Sequence, residues 1–279
     1  MKPTVAFLYD FDKTLSTRDM QEFTFIPSLG LEPQAFWERA NSMAKREKMD
    51  SILAYMYVML QAAAERGIPL TQDMLMQCGH DVKYYEGVEE WFDHINRVGE
   101  QEGVHVEHYI LSSGLREIIA GTTIAPCFTE IFASEFLYAD NHAVWPKTAV
   151  NYTAKTQFVY RINKGVLDIS NDTDLNKSAP EESRHVKFSN MIYIGDGLTD
   201  VPCMKLVKLS GGHSIALYQQ GKAATVEDLL KHERVDFIFQ ADYRVGSPLE
   251  QAVSAILRKL AVDNNLRALS DEQRHNLDD

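Results

Sequence analysis

Two carboxylates, Asp10 and Asp12, stand either side of Phe11, directly after the apolar run VAFLY at residues 5–9. Acids this close repel each other, and burial adds a desolvation cost. Solvent in a surface turn would dilute that cost, and a bound cation would offset it. Two more runs end in groups of the same kind. HYIL (108–111) is followed by Ser112 and Ser113, and MIYI (191–194) by Gly195, Asp196, Gly197 and then Asp200. Ligands of open α/β sheets bind outside the carboxyl ends of the strands. If the three runs are neighbouring strands, their acids and hydroxyls converge on one edge as an all-oxygen site for a hard cation. Each group has a plainer reading. Asp10 and Asp12 suit a turn, Ser113 suits the cap of a helix at Leu115, and Asp200 suits the N-cap of a helix with Val201 and Pro202 in its first turn. Only the site reading accounts for all three strand ends together.

The elements that must position these groups follow from periodicity. Five apolar runs of four or five residues, at 5–9, 108–111, 191–194, 214–217 and 236–239, suit strands buried on both faces of a parallel sheet. Helical patterns at 88–98, 115–120, 155–163, 201–207 and 223–232 alternate with them, which predicts βαβ crossovers and an α/β doubly wound fold. Residues 16–85 break the alternation. Patterns at 34–48, 51–66 and 71–78 read as helices, with Gly67 and Pro69 ending the second, so a helical insert separates the first two core strands. The polar stretch 170–185 reads as a loop. Its Asp172, Asp174 and Asn176 imitate a calcium loop, but Lys177 and Ser183 stand where Gly and Glu are needed. A last helix is expected from Ser247 to about Ala261, then a polar tail.

Composition narrows the function. The chain has 279 residues, 45% hydrophobic and 24% charged, with net charge −12. That affords a sizeable core and argues against partners that need a basic surface, nucleic acid and anionic membrane. Cys78, Cys127 and Cys203 form no CxxC pair, so a reduced, cytoplasmic setting is expected. No run is long enough to cross a membrane. His105 and His108, three apart in one strand, point to opposite faces and cannot share a metal.

Taken together, DFDKT (10–14), YILSSG (109–114), RINKG (161–165) and GDGLTD (195–200) resemble, in order, the four motifs of the haloacid dehalogenase (HAD) superfamily. The likeness spans residues 1 to about 240, and the insert falls where the family places its C1-type cap. The resemblance implies a HAD-like Rossmann-like sheet with helices on both faces, formed by residues 1–15 and 86–279, and a helical cap at 16–85. It implies Asp10 as nucleophile, forming an aspartyl-phosphate, and Asp12 as general acid and then base. It implies Mg²⁺ on Asp10, the backbone of Asp12, and Asp196, with Asp200 supporting the metal or completing its ligand set. Ser112, with Ser113 and Gly114 beside it, and Lys164, with Lys155, Lys177 and Lys187 as competing lysines, would bind the phosphoryl oxygens, and Thr14 would tie the loop together.

An Asp two residues after the nucleophile is the mark of a phosphatase or phosphomutase in this superfamily. The core most resembles the phosphoserine phosphatase-like branch. There a Glu nine residues after the nucleophile holds the substrate's amino group, and here that position is Asp19. Arg18, Glu22, Arg39 and Arg46 are further candidates for a pocket beneath the cap. The expected function is a Mg²⁺-dependent phosphatase of small phosphomonoesters. The alternatives are a non-catalytic phosphometabolite-binding protein of the same fold and a phosphotransferase or phosphomutase.

Overall fold

The computed structural model describes residues 2–178, 180 and 183–278. Ala179, Glu181 and Glu182 of the expected polar loop lie outside them. The strand β1 (Thr4–Tyr9) forms the centre of a seven-stranded sheet. On one side follow β2 (His105–Leu115), β3 (Glu130–Ala139) and β4 (His142–Thr148). On the other follow β5 (Met191–Gly195), β6 (His213–Tyr218) and β7 (Phe237–Gln240). All neighbours pair in parallel except β3 and β4. The chain first builds outward from β1 through β2 to β4, then returns to β5 on the other side. The strand order therefore reverses beside β1, where such sheets open a crevice.

Alternate side chains of β1 enter two cores. Val5, Phe7 and Tyr9 meet α5 (Val88–Glu102) and α11 (Pro248–Asp278), while Ala6 and Leu8 meet α7 (Lys155–Lys164), α9 (Val201–Leu209) and α10 (Ala224–Lys231). This two-sided burial is why the run has no polar alternation.

Ser16 and Tyr84 form an antiparallel bridge. Between them lie a short turn of helix α1 (Phe25–Ser28) and the helices α2 (Pro33–Glu47), α3 (Ser51–Glu65) and α4 (Gln72–Cys78). Asp50 starts α3 by accepting from the backbone N–H groups of Ile52 and Leu53. Its other carboxylate oxygen accepts from Asn151, at 2.9 Å, so the cap of an insert helix also ties it to the core.

Two strands and half a helix differ from the expectation. β3 and β4 form a hairpin that was not expected. β3 carries Glu130, Ser134 and Glu135 among its apolar residues, which breaks the run that marks a central strand. The signal lay in the turn: Asp140 and Asn141 both have positive φ, 48° and 63°, as a two-residue hairpin turn requires. α11 does not end near Ala261 but continues to Asp278. Its second half contains no Gly or Pro. Asn264 joins it to Asn190, and Arg267 to Ser189. The expected loop also contains a short helix, α8 (Asp172–Asn176), capped by Asn171.

His108 is buried and His105 is exposed, on opposite faces as their spacing requires. Trp91 Nε1 donates to the Tyr9 hydroxyl, Tyr9 meets His108 Nδ1 at 3.1 Å, and His108 Nε2 meets Asn96 Oδ1. Every group in this chain is satisfied when the ring is neutral, with its proton on Nε2 and Nδ1 accepting from Tyr9. Burial lowers the His108 pKa to about 3. Because this lies below the unfolded value of about 6.5, the stabilisation from a neutral ring is complete above pH 6.5 and is lost as pH falls toward 3. Lowering the pH from 7 to 5 should therefore destabilise the wild type relative to His108→Gln in urea unfolding. An unchanged difference between the two proteins would contradict this.

Candidate active site

The carboxyl ends of β1, β2 and β5 meet at one edge, because Tyr9 stands opposite both Ile110 and Ile194. Beyond Tyr9 the chain turns tightly. Thr14, Leu15 and Ser16 all donate from their backbones to the Phe11 carbonyl, and Lys13 takes a left-handed φ of 58°. Asp10 and Asp12 thus leave the strand end on a fixed loop.

Asp10 is 5% exposed and Asp200 is fully buried. Between them lies Lys155, also buried, with Nζ 2.7 Å from Asp10 Oδ1 and 2.8 Å from Asp200 Oδ1. Tyr193 also donates to Asp200 Oδ1. Asp200 occupies the N-cap position of α9, yet its side chain makes no capping bond. The plainer reading of that residue therefore fails. Gly195 makes the approach possible, since a Cβ there would lie 2.5 Å from Asp200 Oδ2.

Asp10, Asp196 and Asp200 each offer a carboxylate oxygen within 4.8 Å of the others. Burial raises the Asp10 pKa, repulsion from Asp200 raises it further, and Lys155 opposes both. Asp196 is raised by burial and then by Asp10 and Asp200. One lysine thus stands among three acids, and Asp200 Oδ2 is buried without a hydrogen-bond partner. An orphaned carboxylate oxygen in an all-oxygen cluster is what a hard divalent cation such as Mg²⁺ satisfies, so these residues fit the metal that the motifs imply.

Asp12 is placed differently. Its Oδ1 accepts from the Met20 backbone N–H at 2.7 Å, which turns the side chain toward the insert. Burial, then Asp19 and Asp10, raise its pKa well above the usual range. Gly114 gives it clearance, because a Cβ there would come within 3.0 Å of Asp12 Oδ2 and 2.1 Å of Met20 Cε.

The serines sit at an irregularity in the β2–β3 register between Leu111 and Leu115. Ser112 Oγ is buried and accepts from the Gly114 N–H at 3.0 Å, leaving its own proton free to donate. Ser113 does not cap α6 (Arg116–Ala120), whose N-cap is Leu115. Its Oγ is buried without a partner. The Thr14 side chain has no partner either, and it is the Thr14 carbonyl that ties the loop, accepting from Tyr243.

Lys164 is not at the site, and this corrects the sequence reading. Its Nζ donates to the carbonyls of Leu175 and Lys177. The reason is the direction of the helix. α7 precedes β5 in the crossover, so its first residue lies at the carboxyl edge of the sheet. Lys164 is nine residues further along, about 13 Å at the helical rise. Lys155 opens the helix and reaches the carboxylates.

A cavity of about 310 Å³ separates these groups from the insert. On the core side Asp10, Asp12, Ser113, Gly114, Lys155 and Asp196 line it. On the insert side Asp19, Gln21, Trp37, Asn41, Ser51 and Tyr55 do so. Of the candidate substrate residues, Asp19 is present but paired with Lys13 at 2.6 Å. Arg18 lies over the Phe23 ring, and Glu22 accepts from Trp37 Nε1. Arg39 pairs with Glu65, and Arg46 with Glu47. Neither Arg18, Glu22, Arg39 nor Arg46 lines the cavity. Gln21, Trp37 and Tyr55 were missed, because nothing in their local pattern separates them from ordinary core residues of a helical insert.

The chain is 26% identical to an uncharacterized protein of Borreliella burgdorferi over 273 residues, 88% of this chain and 93% of that one. Among solved structures, a substrate-bound phosphoserine phosphatase superposes with a TM-score of 0.55 at 15% identity, over 86% of this chain and 94% of that one. A HAD family hydrolase from Salmonella enterica serovar Typhi gives 0.54 at 16% identity, over 85% and 68%. These two likenesses concern the fold. Among the described residues no helix is long and apolar enough to cross a membrane. The model of the family haloacid dehalogenase-like hydrolase matches residues 7–205, a span that takes in the loop of Asp10 and Asp12, the β2 serines, Lys155 and the Gly195–Asp200 turn, and the chain belongs to that family.

Proposed function

We propose that the protein is a Mg²⁺-dependent phosphatase of small phosphomonoesters, with the helices of 16–85 as a cap over the core of 1–15 and 86–279. The observation that carries this reading is the pairing of Asp10 with Lys155 at 2.7 Å, inside the acidic cluster and two residues from Asp12. Asp10, Asp196 and the backbone of Asp12 would hold Mg²⁺, with Asp200 completing or supporting the set. When bound, the ion supplies the positive charge that lets a phosphate dianion approach carboxylates.

Lys155 holds the Asp10 carboxylate in place and favours its anionic form. Asp10 attacks phosphorus, and a carboxylate-to-phosphorus bond forms as the ester P–O bond breaks. Asp12, turned toward the insert, gives its proton to the departing alkoxide. It then takes a proton from the water that attacks the acyl phosphate, releasing phosphate and restoring Asp10. Ser112 and Ser113 offer hydroxyl protons to the phosphoryl oxygens. Several bonds hold the cap down: Tyr55 donates to the Ser113 carbonyl at 2.8 Å, and Ala143 donates from its backbone to Leu70. A cap so held excludes bulk water and large leaving groups.

Hydrolysis of p-nitrophenyl phosphate tests this. Turnover should require Mg²⁺, stop on chelation and return when the ion is restored. Small phosphomonoesters should be cleaved and folded phosphoproteins left intact. Turnover undiminished by thorough chelation, or phosphoprotein rates within a few-fold of small-ester rates, would contradict the metal and cap assignments respectively.

A further inference from the structure

The insert side of the cavity must receive the alcohol half of the substrate, and its chemistry is specific. Gln21 is 1% exposed and lines the cavity, and its Oε1 has no hydrogen-bond partner. A buried amide oxygen left unpaired is costly, and native folds seldom tolerate one without a use. The residue is also held in register with the reacting groups. It lies in the 3-10 turn Met20–Glu22, whose first N–H donates to Asp12 Oδ1. The Met20 sulfur accepts from Leu115 at the end of β2, fixing the turn from the other side.

Charge on that side is already spent. Among the described residues that line the cavity, the lysines are Lys13 and Lys155. Lys13 is paired with Asp19, and Lys155 with Asp10 and Asp200. A substrate carboxylate would meet no unpaired cation, and a substrate ammonium would find Asp19 occupied. Trp37 and Tyr55 stand edge to face with ring centroids 5.9 Å apart, and their polar atoms are bonded to Glu22 and to the Ser113 carbonyl. They offer the ligand their rings. Asn41 and Ser51 add uncharged polar groups.

We infer that the site takes phosphomonoesters of neutral, polyhydroxylated alcohols, with the Gln21 side-chain amide hydrogen-bonding a leaving-group hydroxyl as a specificity residue. Sugar phosphates and nucleoside monophosphates share this chemistry, and phosphorylated amino acids do not. The inference rests on the phosphatase reading above. A site built around a hydrogen bond discriminates strongly against analogues that lack the partner.

The test uses the full chain with Mg²⁺ and compares kcat/KM for p-nitrophenyl phosphate, O-phosphoserine, ribose 5-phosphate, glucose 6-phosphate and AMP, with the deoxy analogue of each of the last three. At least one hydroxylated ester should exceed O-phosphoserine by about tenfold or more. Whether a sugar phosphate or AMP leads identifies the source of the shared chemistry. For the preferred ester, one deoxy analogue should be poorer by about tenfold, and Gln21→Met should shrink that ratio toward one, mainly through KM. O-Phosphoserine equal to or better than every neutral ester would overturn the inference while aryl phosphate turnover upheld the phosphatase. An unchanged ratio in folded Gln21→Met would also overturn it. Should that variant not fold, the wild-type comparison decides alone. Absence of any turnover, aryl phosphate included, would overturn both readings together.

Discussion

Asp10→Asn should abolish phosphoryl transfer and leave the fold intact. An amide has the shape of the carboxylate but not its nucleophilic anion, so kcat should fall by about 10⁴-fold or more. Stability should not fall with activity. Asp10 is buried beside Asp200, and both burial and that neighbour disfavour its charge. Removing one anion from the cluster relieves repulsion, while Lys155 keeps Asp200 as its partner at 2.8 Å. Without added metal, the melting temperature of Asp10→Asn should therefore equal or exceed that of the wild type. Unimpaired turnover would show that Asp10 is not the nucleophile. Lost turnover with a collapsed melting temperature would show that its role is structural.

Lys155→Met should affect both activity and stability. The lysine is 1% exposed and is the ion-pair partner of two buried carboxylates. Removing one member of a buried ion pair leaves uncompensated charge and costs about 3–5 kcal/mol. Asp10, whose protonation Lys155 opposes, would then take up a proton more readily, so the nucleophile would be lost as well, and turnover should fall by about 10²-fold or more. Lys164→Met provides the contrast. It removes contacts to the carbonyls of Leu175 and Lys177 at the far end of α7, and turnover should stay within a few-fold of wild type. Steady-state kinetics and thermal melts on the two variants separate them. A Lys164→Met enzyme as impaired as Lys155→Met would contradict the placement of the phosphate-side lysine.

The two lysines show where sequence was and was not enough. The acids at 10, 12, 196 and 200 and the serines at 112 and 113 were legible because each follows a short apolar run, and a strand end is a local feature. The lysine was not, because its placement depends on which end of a crossover helix faces the ligand edge. Lys155 and Lys164 lie on one helix, and only the direction of α7 relative to β5 distinguishes them. β3 and β4 were hidden for a related reason. They lie toward one edge of the sheet, where half-exposed positions admit Glu and Lys, and the apolar run that betrayed β1 and β5 is diluted. The helical insert was visible from periodicity, but Gln21 was not. An isolated glutamine after a loop carries no pattern, and only the fold shows that it is buried against a cavity.

In the proposed reaction phosphate passes through a covalent bond to Asp10. The Asp12→Asn variant isolates that step with p-nitrophenyl phosphate as substrate. Nitrophenolate departs without needing a proton, whereas hydrolysis of the acyl phosphate needs the base that the variant lacks. The intermediate should therefore accumulate. Acid quench followed by borohydride converts an aspartyl-phosphate to homoserine, and peptide mass spectrometry locates it. The account predicts homoserine at position 10, dependent on substrate and on Mg²⁺. Release of nitrophenolate with Asp10 unmodified, or with the label on another residue, would contradict it.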